Sequence, residues 1–162
     1  MIPTSTPKPC SMPMSDPART ILFPGSFDPF TRGHKSVVDR ALPLADRLII
    51  AVGVNAAKPG WLPAEERAER IRAIYAGDTR VEVVTYTGLT VDACRHYGAG
   101  MMLRGVRSLA DFEYERTLAD INRDIAGIET LLLFTLPEDA SVSSSVVREL
   151  AANGHDVSSF MP

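Results

Sequence analysis

A segment near the amino terminus carries residue types suited to binding phosphate. It reads FPGSFDPFTRGH at positions 23–34 and follows a short apolar run. Gly25 permits a tight turn and the close approach of a ligand to the backbone, and Ser26 supplies a hydroxyl there. Thr31 and His34 are three residues apart and share a face at the start of a predicted helix, whose N-terminus attracts phosphate. The glycine spacing fits neither a dinucleotide-binding fingerprint nor a Walker-type loop.

Three further segments place cations or hydroxyls after predicted strands. Lys58 follows the apolar run 48–54 and is one of only three lysines in the chain. Arg104 and Arg107 lie at a strand-to-helix junction, where two guanidinium groups and backbone donors can surround phosphate oxygens. The serines at 143–145 precede a helical pattern, and hydroxyls with free N–H groups at a helix start form an anion cradle. These segments favour a site for a phosphorylated ligand.

Each of these features also has a simpler interpretation. Lys58 could be a solubilising loop residue, and His34 a solvated residue of a first helical turn. Arg104 and Arg107 could pair with Asp111 or Glu115 on the surface, which contributes little to stability. One serine would suffice to cap a helix.

Composition excludes several classes of protein. The 162 residues carry a net charge of −3 with a pI near 5.6, which argues against partners such as nucleic acid or an anionic membrane surface. The longest apolar runs, 48–54 and 131–136, are too short to span a bilayer and predict a soluble protein. Cys10 and Cys94 form neither a metal cluster nor a disulfide framework, which indicates a reducing cytoplasm. An anionic ligand must therefore meet a few well-placed cations.

Short apolar runs alternate with helix-period segments from Thr20 onward. Strands are predicted at Thr20–Phe23, Leu48–Val54, Val81–Thr85, Met101–Arg104 and Thr130–Leu136. Helices are predicted at His34–Leu44, Pro63–Tyr75, Leu89–Tyr97, Leu109–Ile121 and Ser144–Ala152. The pattern predicts an α/β fold with a single Rossmann-like, doubly wound, five-stranded parallel sheet and a ligand site at the carboxyl ends of its strands.

The first residues differ in composition from the rest. Five of the twelve prolines fall within the first 17 residues, and no contiguous apolar stretch typical of a signal peptide accompanies them. Residues 1–19 are therefore predicted to be a disordered Pro-rich extension or a cloning remnant. Residues 20–162 form the predicted domain.

Residues 31–34 match the signature Thr-or-His, any residue, Gly, His of the nucleotidyltransferase superfamily. Together with Gly25-Ser26-Phe27-Asp28-Pro29, this segment resembles the bacterial phosphopantetheine adenylyltransferases, in which Thr is commoner at the position of Ser26. The run 103–115 resembles their arginine-rich motif. Residues 142–145 resemble their Ile-Ser-Ser-Ser segment, with Val142 in the place of Ile.

The resemblance implies the transfer of an adenylyl group from ATP to 4′-phosphopantetheine, giving dephospho-coenzyme A and pyrophosphate. It assigns catalytic roles to His34, Lys58 and Arg104, with His34 stabilising the transition state. It implies that phosphopantetheine is bound by Ser26, Lys58, Leu89, Thr90 and Arg104. It implies that ATP is bound by Ser26, Phe27, His34, Gly105, Val106, Arg107, Glu115, Ser141, Val142, Ser143, Ser144 and Ser145.

The same resemblance implies further properties. Mg²⁺ is expected as the cofactor, held by the ATP phosphates rather than by a protein metal site, because the carboxylates of the motifs are few and scattered. Members of the family are homohexamers, arranged as dimers of trimers, and coenzyme A inhibits them.

Several alternatives remain open at this point. A nicotinate-mononucleotide adenylyltransferase or a glycerol-3-phosphate cytidylyltransferase could share residues 31–34, although the run 104–115 speaks against both. A non-catalytic nucleotide sensor on the same scaffold would bind ATP without releasing pyrophosphate. A response-regulator-like domain would need clustered acidic residues after the first strand, where only Asp28 stands.

Overall fold

The computed structural model describes residues 18–162. The strands are β1 (Thr20–Gly25), β2 (Arg47–Gly53), β3 (Val81–Tyr86), β4 (Met101–Val106) and β5 (Glu129–Phe134). The helices are α1 (Arg32–Ala41), α2 (Ala64–Ile74), α3 (Thr90–Tyr97), α4 (Leu109–Ala126) and α5 (Ser144–Ala152). Short 3-10 helices lie at Leu42–Leu44, Pro137–Asp139 and Ser158–Phe160. All strand pairs are parallel and the order across the sheet is β3-β2-β1-β4-β5.

This architecture confirms the predicted α/β fold, and the differences from prediction lie at element ends. Helix α4 continues past its predicted end at Ile121 to Ala126, where Gly127 adopts a left-handed conformation that terminates it. Helix α1 begins at Arg32 because Thr31 caps it. It ends at Ala41, and the residues up to Leu44 form a 3-10 helix that contains Pro43.

Both faces of the sheet are covered, which explains why its central strands are apolar at consecutive positions. In β1, Ile21 and Phe23 point to the face packed by α1 and α2, whereas Leu22 joins the opposite cluster with α3. Strand β2 alternates in the same way and is fully buried from Leu48 to Val52. Edge strand β5 is only partly covered, and Phe134 at its end is 65% exposed.

The order of the strands creates a crevice between β1 and β4. From β1 the chain adds β2 and β3 on one side, and from β3 it crosses back to place β4 and then β5 on the other side of β1. The boundary between β1 and β4 is therefore the switch point where ligands bind in doubly wound sheets. The β1–β4 ladder registers only Ile21 with Met101 and Leu22 with Met102, whereas the β1–β2 ladder runs over six positions. Pro24 follows in β1 and has no N–H to donate. The two strands therefore separate toward their carboxyl ends.

The proposed extension at residues 1–19 lies largely outside the described residues, which begin at Ala18. At the boundary, the Arg19 backbone N–H donates to the Asp46 carboxylate at 2.8 Å. Within residues 18–162, no helix combines the length and the apolar character needed to cross a membrane.

Candidate active site

A cleft of about 350 Å³ opens where β1 and β4 separate. We call it the central cleft. It is bordered by the carboxyl end of β1, the start of α1, the β4–α4 junction and the start of α5, and its polar lining comes from Ser26, Thr31, His34, Arg104, Arg107, Asp111, Glu115, Thr135, Ser143, Ser144, Ser145 and Arg148. Eleven of the predicted site residues line it: Ser26, Phe27, His34, Arg104, Gly105, Arg107, Glu115, Val142, Ser143, Ser144 and Ser145.

The first turn of α1 fixes the orientation of His34. A capping box forms, in which the Thr31 hydroxyl faces the His34 backbone N–H and the His34 ring reaches back to Thr31. The Nδ1 atom of His34 accepts a hydrogen bond from the Thr31 backbone N–H at 3.0 Å. Neutral His34 therefore carries its proton on Nε2, which makes Nε2–H a hydrogen-bond donor.

Aromatic rings enclose the imidazole and hold it neutral. Phe30 stacks on His34 at 5.5 Å between ring centroids, and Phe27 meets it edge-on at 5.2 Å. Burial and, after it, the positive charges of Arg107 and Arg104 together lower the pKa of His34 to about 4. At pH 7 the ring is thus mainly uncharged, and its Nε2–H is a hydrogen-bond donor.

The aromatic cluster explains the unusual backbone of the loop that carries Ser26. The φ angle of Phe27 is +47°, a left-handed conformation that costs a non-glycine residue about 1–2 kcal/mol. A side chain on Gly25 would place its Cβ 2.8 Å from the Phe27 ring. The prediction that Gly25 itself makes the unusual turn was therefore wrong, because Gly25 makes room for the Phe27 ring and Phe27 carries the turn. Gly25 lines the central cleft, and the close approach of a ligand to its backbone stays a prediction.

Arg104 is held in place by a bidentate ion pair. Its Nε donates to Glu115 at 2.8 Å and its Nη2 donates to the other carboxylate oxygen at 2.6 Å. A third N–H donates to the Pro24 carbonyl at 3.0 Å and bridges the gap between β4 and β1. Three of the five guanidinium N–H groups are used, so two remain for a ligand. The Glu115 side chain is only 8% exposed, which places it as the support of Arg104.

Arg107 and the start of α4 form the next part of the cleft wall. The Arg107 Nε and backbone N–H both donate to the Asp111 carboxylate at 3.1 Å. Ser108 caps α4 by accepting from the Asp111 backbone N–H at 3.1 Å. Asp111 was not among the predicted site residues, although its spacing of four from Arg107 on a helix is the signal of such a pair.

The serines before α5 have distinct contacts. Ser143 caps the helix and accepts from the Val146 N–H at 3.2 Å, which leaves the two preceding amides at the cleft without an intrahelical acceptor. The Ser144 hydroxyl donates to the Pro29 carbonyl at 2.8 Å. Arg148, three residues after Ser145, donates to the Ser145 hydroxyl and to the Asp28 carbonyl. Sequence reasoning missed Arg148, although the i, i+3 spacing puts it on the face of the serines.

The loop before α5 is tied to the signature segment by Arg32. Its Nε lies 3.0 Å from the buried Asp139 carboxylate, and its terminal nitrogens donate to the Glu138 and Ser159 carbonyls at 2.9 and 3.1 Å. Arg32 thus fixes the 3-10 helix Pro137–Asp139 and the end of the chain beside α1. Arg32 occupies the position of the signature at which any residue is allowed, and in this chain it holds the loop before α5 in place.

Two further cavities adjoin the central cleft. One of about 360 Å³ lies between α3 and α4, is mainly apolar, and is lined by the predicted residues Leu89 and Thr90. The other, of about 590 Å³, lies at the ends of β2 and β3, where Asn55 and Tyr86 line it. Pro24 and Arg104 line all three cavities, so they stand at the junction.

Three predicted site residues line none of these cavities. Lys58 is exposed in a turn of the β2–α2 loop. Val106 is buried in the core and its carbonyl accepts from Thr135 at 2.9 Å. Ser141 is exposed before α5. The roles assigned to these three residues remain predictions.

Carboxylates in the central cleft are engaged with guanidinium groups. Asp111 pairs with Arg107 and Glu115 pairs with Arg104. Across residues 18–162, no group of three or more His, Cys, Asp or Glu side chains is placed to hold a metal ion. The donor set of the cleft therefore suits the phosphate oxygens of a ligand better than a bare divalent cation.

Comparison with known proteins narrows the chemistry. A model of the cytidylyltransferase-like family matches residues 22–150. The phosphopantetheine adenylyltransferase of Phocaeicola vulgatus is 53% identical over 144 residues, which cover 89% of this chain and 95% of that protein. The enzyme of the same name from Bacteroides thetaiotaomicron is 51% identical over the same shares. Among solved structures, a bifunctional NMN adenylyltransferase/ADP ribose pyrophosphatase from Francisella tularensis superposes with a TM-score of 0.70 at 16% identity, covering 89% of this chain and 45% of that one, and shares the fold.

Proposed function

The chain belongs to the phosphopantetheine adenylyltransferases, within the cytidylyltransferase-like nucleotidyltransferases, and transfers the adenylyl group of ATP to 4′-phosphopantetheine; we propose that it does so by direct attack without a covalent intermediate. An oxygen of the acceptor phosphate attacks the α-phosphorus of ATP. The bond from that phosphorus to the bridging oxygen of the β-phosphate breaks, and pyrophosphate leaves. The products are dephospho-coenzyme A and pyrophosphate.

The state of His34 is the observation that carries this proposal. Its pKa of about 4 and its Nδ1 contact leave a neutral ring with Nε2–H as a donor toward the cleft. A ring with so low a pKa is a weak base, and no general base is required, since the second pKa of a phosphate monoester is about 6 and the acceptor is already largely dianionic. A fixed donor beside two arginines suits the stabilisation of charge that develops on the α-phosphate.

The positions of the cavities support a division of labour between the substrates. ATP would occupy the central cleft, with its phosphates at Arg107, Arg148 and the start of α5. The pantetheine arm would occupy the α3–α4 cavity beside Leu89 and Thr90. In that cavity the buried Thr130 hydroxyl has no hydrogen-bond partner within the described residues, and an amide of the arm would supply one. The acceptor phosphate would then lie at the junction, near Arg104 and Ser26, with Lys58 approaching from its loop.

Mg²⁺ is proposed to enter with the triphosphate. Asp111 and Glu115 are committed to their arginines, so the oxygens of ATP and water are the available ligands. The ion would supply neutralisation of phosphate charge. Arg107, Arg148 and the α5 amides would bind and orient the same phosphates.

We also propose that the protein assembles as a homohexamer, a dimer of trimers. Helix α4 has eighteen residues, yet Glu115 is the only one of them that is fully buried. Its apolar residues Leu109, Tyr114, Ile121 and Ile125 are between 47% and 74% exposed. Tyr114, Ile121 and Ile125 share one side of the helix by their spacings of seven and four, and an exposed apolar strip of this kind is suited to burial against another copy of the chain.

Inhibition by coenzyme A and a cytoplasmic location complete the proposal. Coenzyme A contains both a pantetheine arm and an adenine nucleotide, so the two adjoining cavities could accept both parts of it. The buried free thiol of Cys94 is compatible with a reducing compartment.

A pyrophosphate-release assay tests the proposed function. Pyrophosphate should form with ATP, 4′-phosphopantetheine and Mg²⁺, and its rate should fall sharply when Mg²⁺ is chelated. Nicotinate mononucleotide with ATP, and glycerol 3-phosphate with CTP, serve as comparison substrates. Release with either comparison pair, and none with 4′-phosphopantetheine, would contradict the proposal.

A further inference from the structure

Two buried charged side chains outside the roles assigned so far connect the loop of Ser26 with the loop of Lys58. Asp28 is 6% exposed and lies in the β1–α1 loop, whereas Arg67 is 7% exposed and lies on α2. Buried charges are costly unless hydrogen bonds satisfy them. Their partners therefore show what these side chains hold in place.

The Asp28 carboxylate binds the end of the β2–α2 loop. One oxygen accepts from the Trp61 backbone N–H at 2.6 Å, and the other accepts from the Leu62 N–H at 3.0 Å. Gly60 must be small for this contact, because a Cβ there would lie 2.8 Å from the Asp28 carboxylate and 3.0 Å from the Leu62 carbonyl. The carboxylate thus fixes the point where the Lys58 loop returns to the domain.

Arg67, on α2, binds backbone carbonyls of the same two loops. Its Nε donates to the Leu62 carbonyl at 2.9 Å, and its Nη1 donates to the Ser26 carbonyl. All of its hydrogen bonds within the described residues go to backbone carbonyls. A planar guanidinium can hold two loops at a fixed separation in this way, whereas a single ammonium group cannot.

Lys58 depends on this arrangement for its position. The residues from Val54 to Trp61 are exposed, and the loop is attached at its first residue, where the Val54 N–H donates to the Tyr86 carbonyl at 2.9 Å, and at its end by Asp28. Lys58 lies between these two attachment points. Ser26 and Lys58 are, with Arg104, the residues proposed above to bind the acceptor phosphate.

We propose that Asp28 and Arg67 are positioning residues for the acceptor phosphate, which keep the Lys58 loop at a fixed place relative to Ser26. This inference rests on the proposed function of Ser26 and Lys58. Backbone carbonyls of the same turn bind the nucleotide side, since Arg148 donates to the Asp28 carbonyl and Ser144 to the Pro29 carbonyl. The side chain of Asp28, by contrast, serves only the acceptor side.

That division makes Asp28→Asn a selective probe. The amide keeps one acceptor oxygen but turns a donor toward a backbone N–H, while the backbone contacts to α5 remain. We expect the KM for 4′-phosphopantetheine to rise about tenfold while the KM for ATP stays within about twofold, given the usual strength of hydrogen bonds to charged groups. Asp46→Asn is the matched control, because Asp46 also holds a backbone N–H of another segment but directly precedes β2, at the amino-terminal ends of the strands and away from the site.

Trp61 gives a second measurement, independent of turnover. It is the only tryptophan in the chain and is 48% exposed, and its own N–H is bound by Asp28. Asp28→Asn should increase acrylamide quenching of its fluorescence, with no such change in Asp46→Asn. If Asp28→Asn does not fold, Gly60→Ala disturbs the same contact and should give the same two results.

A double-mutant cycle with Lys58→Ala separates this inference from the proposed function. Lys58→Ala alone should raise the acceptor KM, and Asp28→Asn should add little in that background because its effect passes through Lys58. If Lys58→Ala raises the acceptor KM but Asp28→Asn does not, the positioning role is wrong and the proposed function stands. If Lys58→Ala changes nothing, both the role of Lys58 and the positioning of its loop are wrong. An equal rise of both KM values in Asp28→Asn would also overturn the inference, since it would indicate general damage.

Discussion

The two sides of the reaction centre are held in different ways. On the nucleotide side, Arg107 pairs with Asp111 and Ser143 caps α5, and at the junction between the sides Arg104 makes three fixed hydrogen bonds. On the acceptor side, Lys58 is exposed, and within residues 18–162 its ammonium group makes no hydrogen bond. A donor that stabilises a transition state is most effective when its position is fixed before the reaction. The side where charge develops is the one that the fold assembles in advance.

Removal of His34 from the assembled side should have the largest effect. The His34→Ala variant should lose about 10²- to 10³-fold in kcat with little change in either KM, because a preorganised donor to the transition state is lost. Steady-state kinetics by pyrophosphate release would measure it. His96→Ala, on the exposed side of α3, is the control. A near-normal kcat in folded His34→Ala would contradict the role of His34.

The low pKa of His34 predicts a second large effect, on stability. In the unfolded chain His34 titrates near 6.5, whereas in the folded chain its pKa is about 4. The unfolded state therefore binds more protons between these values, and the free energy of unfolding should fall by up to about 3 kcal/mol as the pH is lowered from 6.5 to 4. Above pH 6.5 this contribution to the pH dependence disappears.

Urea denaturation at several pH values, compared with the His34→Gln variant, would isolate that contribution. Carboxyl groups such as Asp46, whose pKa is lowered by hydrogen bonds from Arg19, change their charge below about pH 4 and are common to both proteins. If wild type and His34→Gln lose stability in parallel between pH 6.5 and 4, the buried neutral state of His34 is wrong.

Arg104 lies between the two sides, and its replacement tests where the boundary runs. Arg104→Lys keeps the charge but cannot bind both Glu115 oxygens and the Pro24 carbonyl. We expect kcat/KM to fall about tenfold for both substrates, because Arg104 lines all three cavities. Arg123→Lys, in an exposed pair with Asp120, should change little. A fall in kcat/KM for ATP alone would place Arg104 on the nucleotide side only.

The difference between the two sides also explains what the sequence could predict. Consecutive apolar positions in β1 and β2 indicated buried parallel strands, and the order of strands and helices placed the site at their carboxyl ends. Arg104, Arg107 and the serines were found because each stands directly at a strand or helix end. The position of Lys58 depends on Asp28 and Arg67, whose partners are backbone groups thirty or more residues away in the case of Asp28. No local pattern encodes such contacts.

The smallest effects on stability and activity should come from replacing polar residues that make local hydrogen bonds on each side of the reaction centre. Ser143→Ala removes the cap of α5 and should cost about 1 kcal/mol of stability while raising the KM for ATP, because the amides at the start of α5 lose their fixed direction. Asn55→Ala, in the β2–α2 loop that carries Lys58, removes an exposed contact to the Ala57 N–H and should change stability by less than about 0.5 kcal/mol. Thermal denaturation and ATP kinetics would compare the two variants. We expect the difference because a contact in a loop attached only at its ends adds little to the free energy of unfolding. If the two variants lose equal stability, the β2–α2 loop is as rigid as the start of α5, and the contrast between the two sides is wrong.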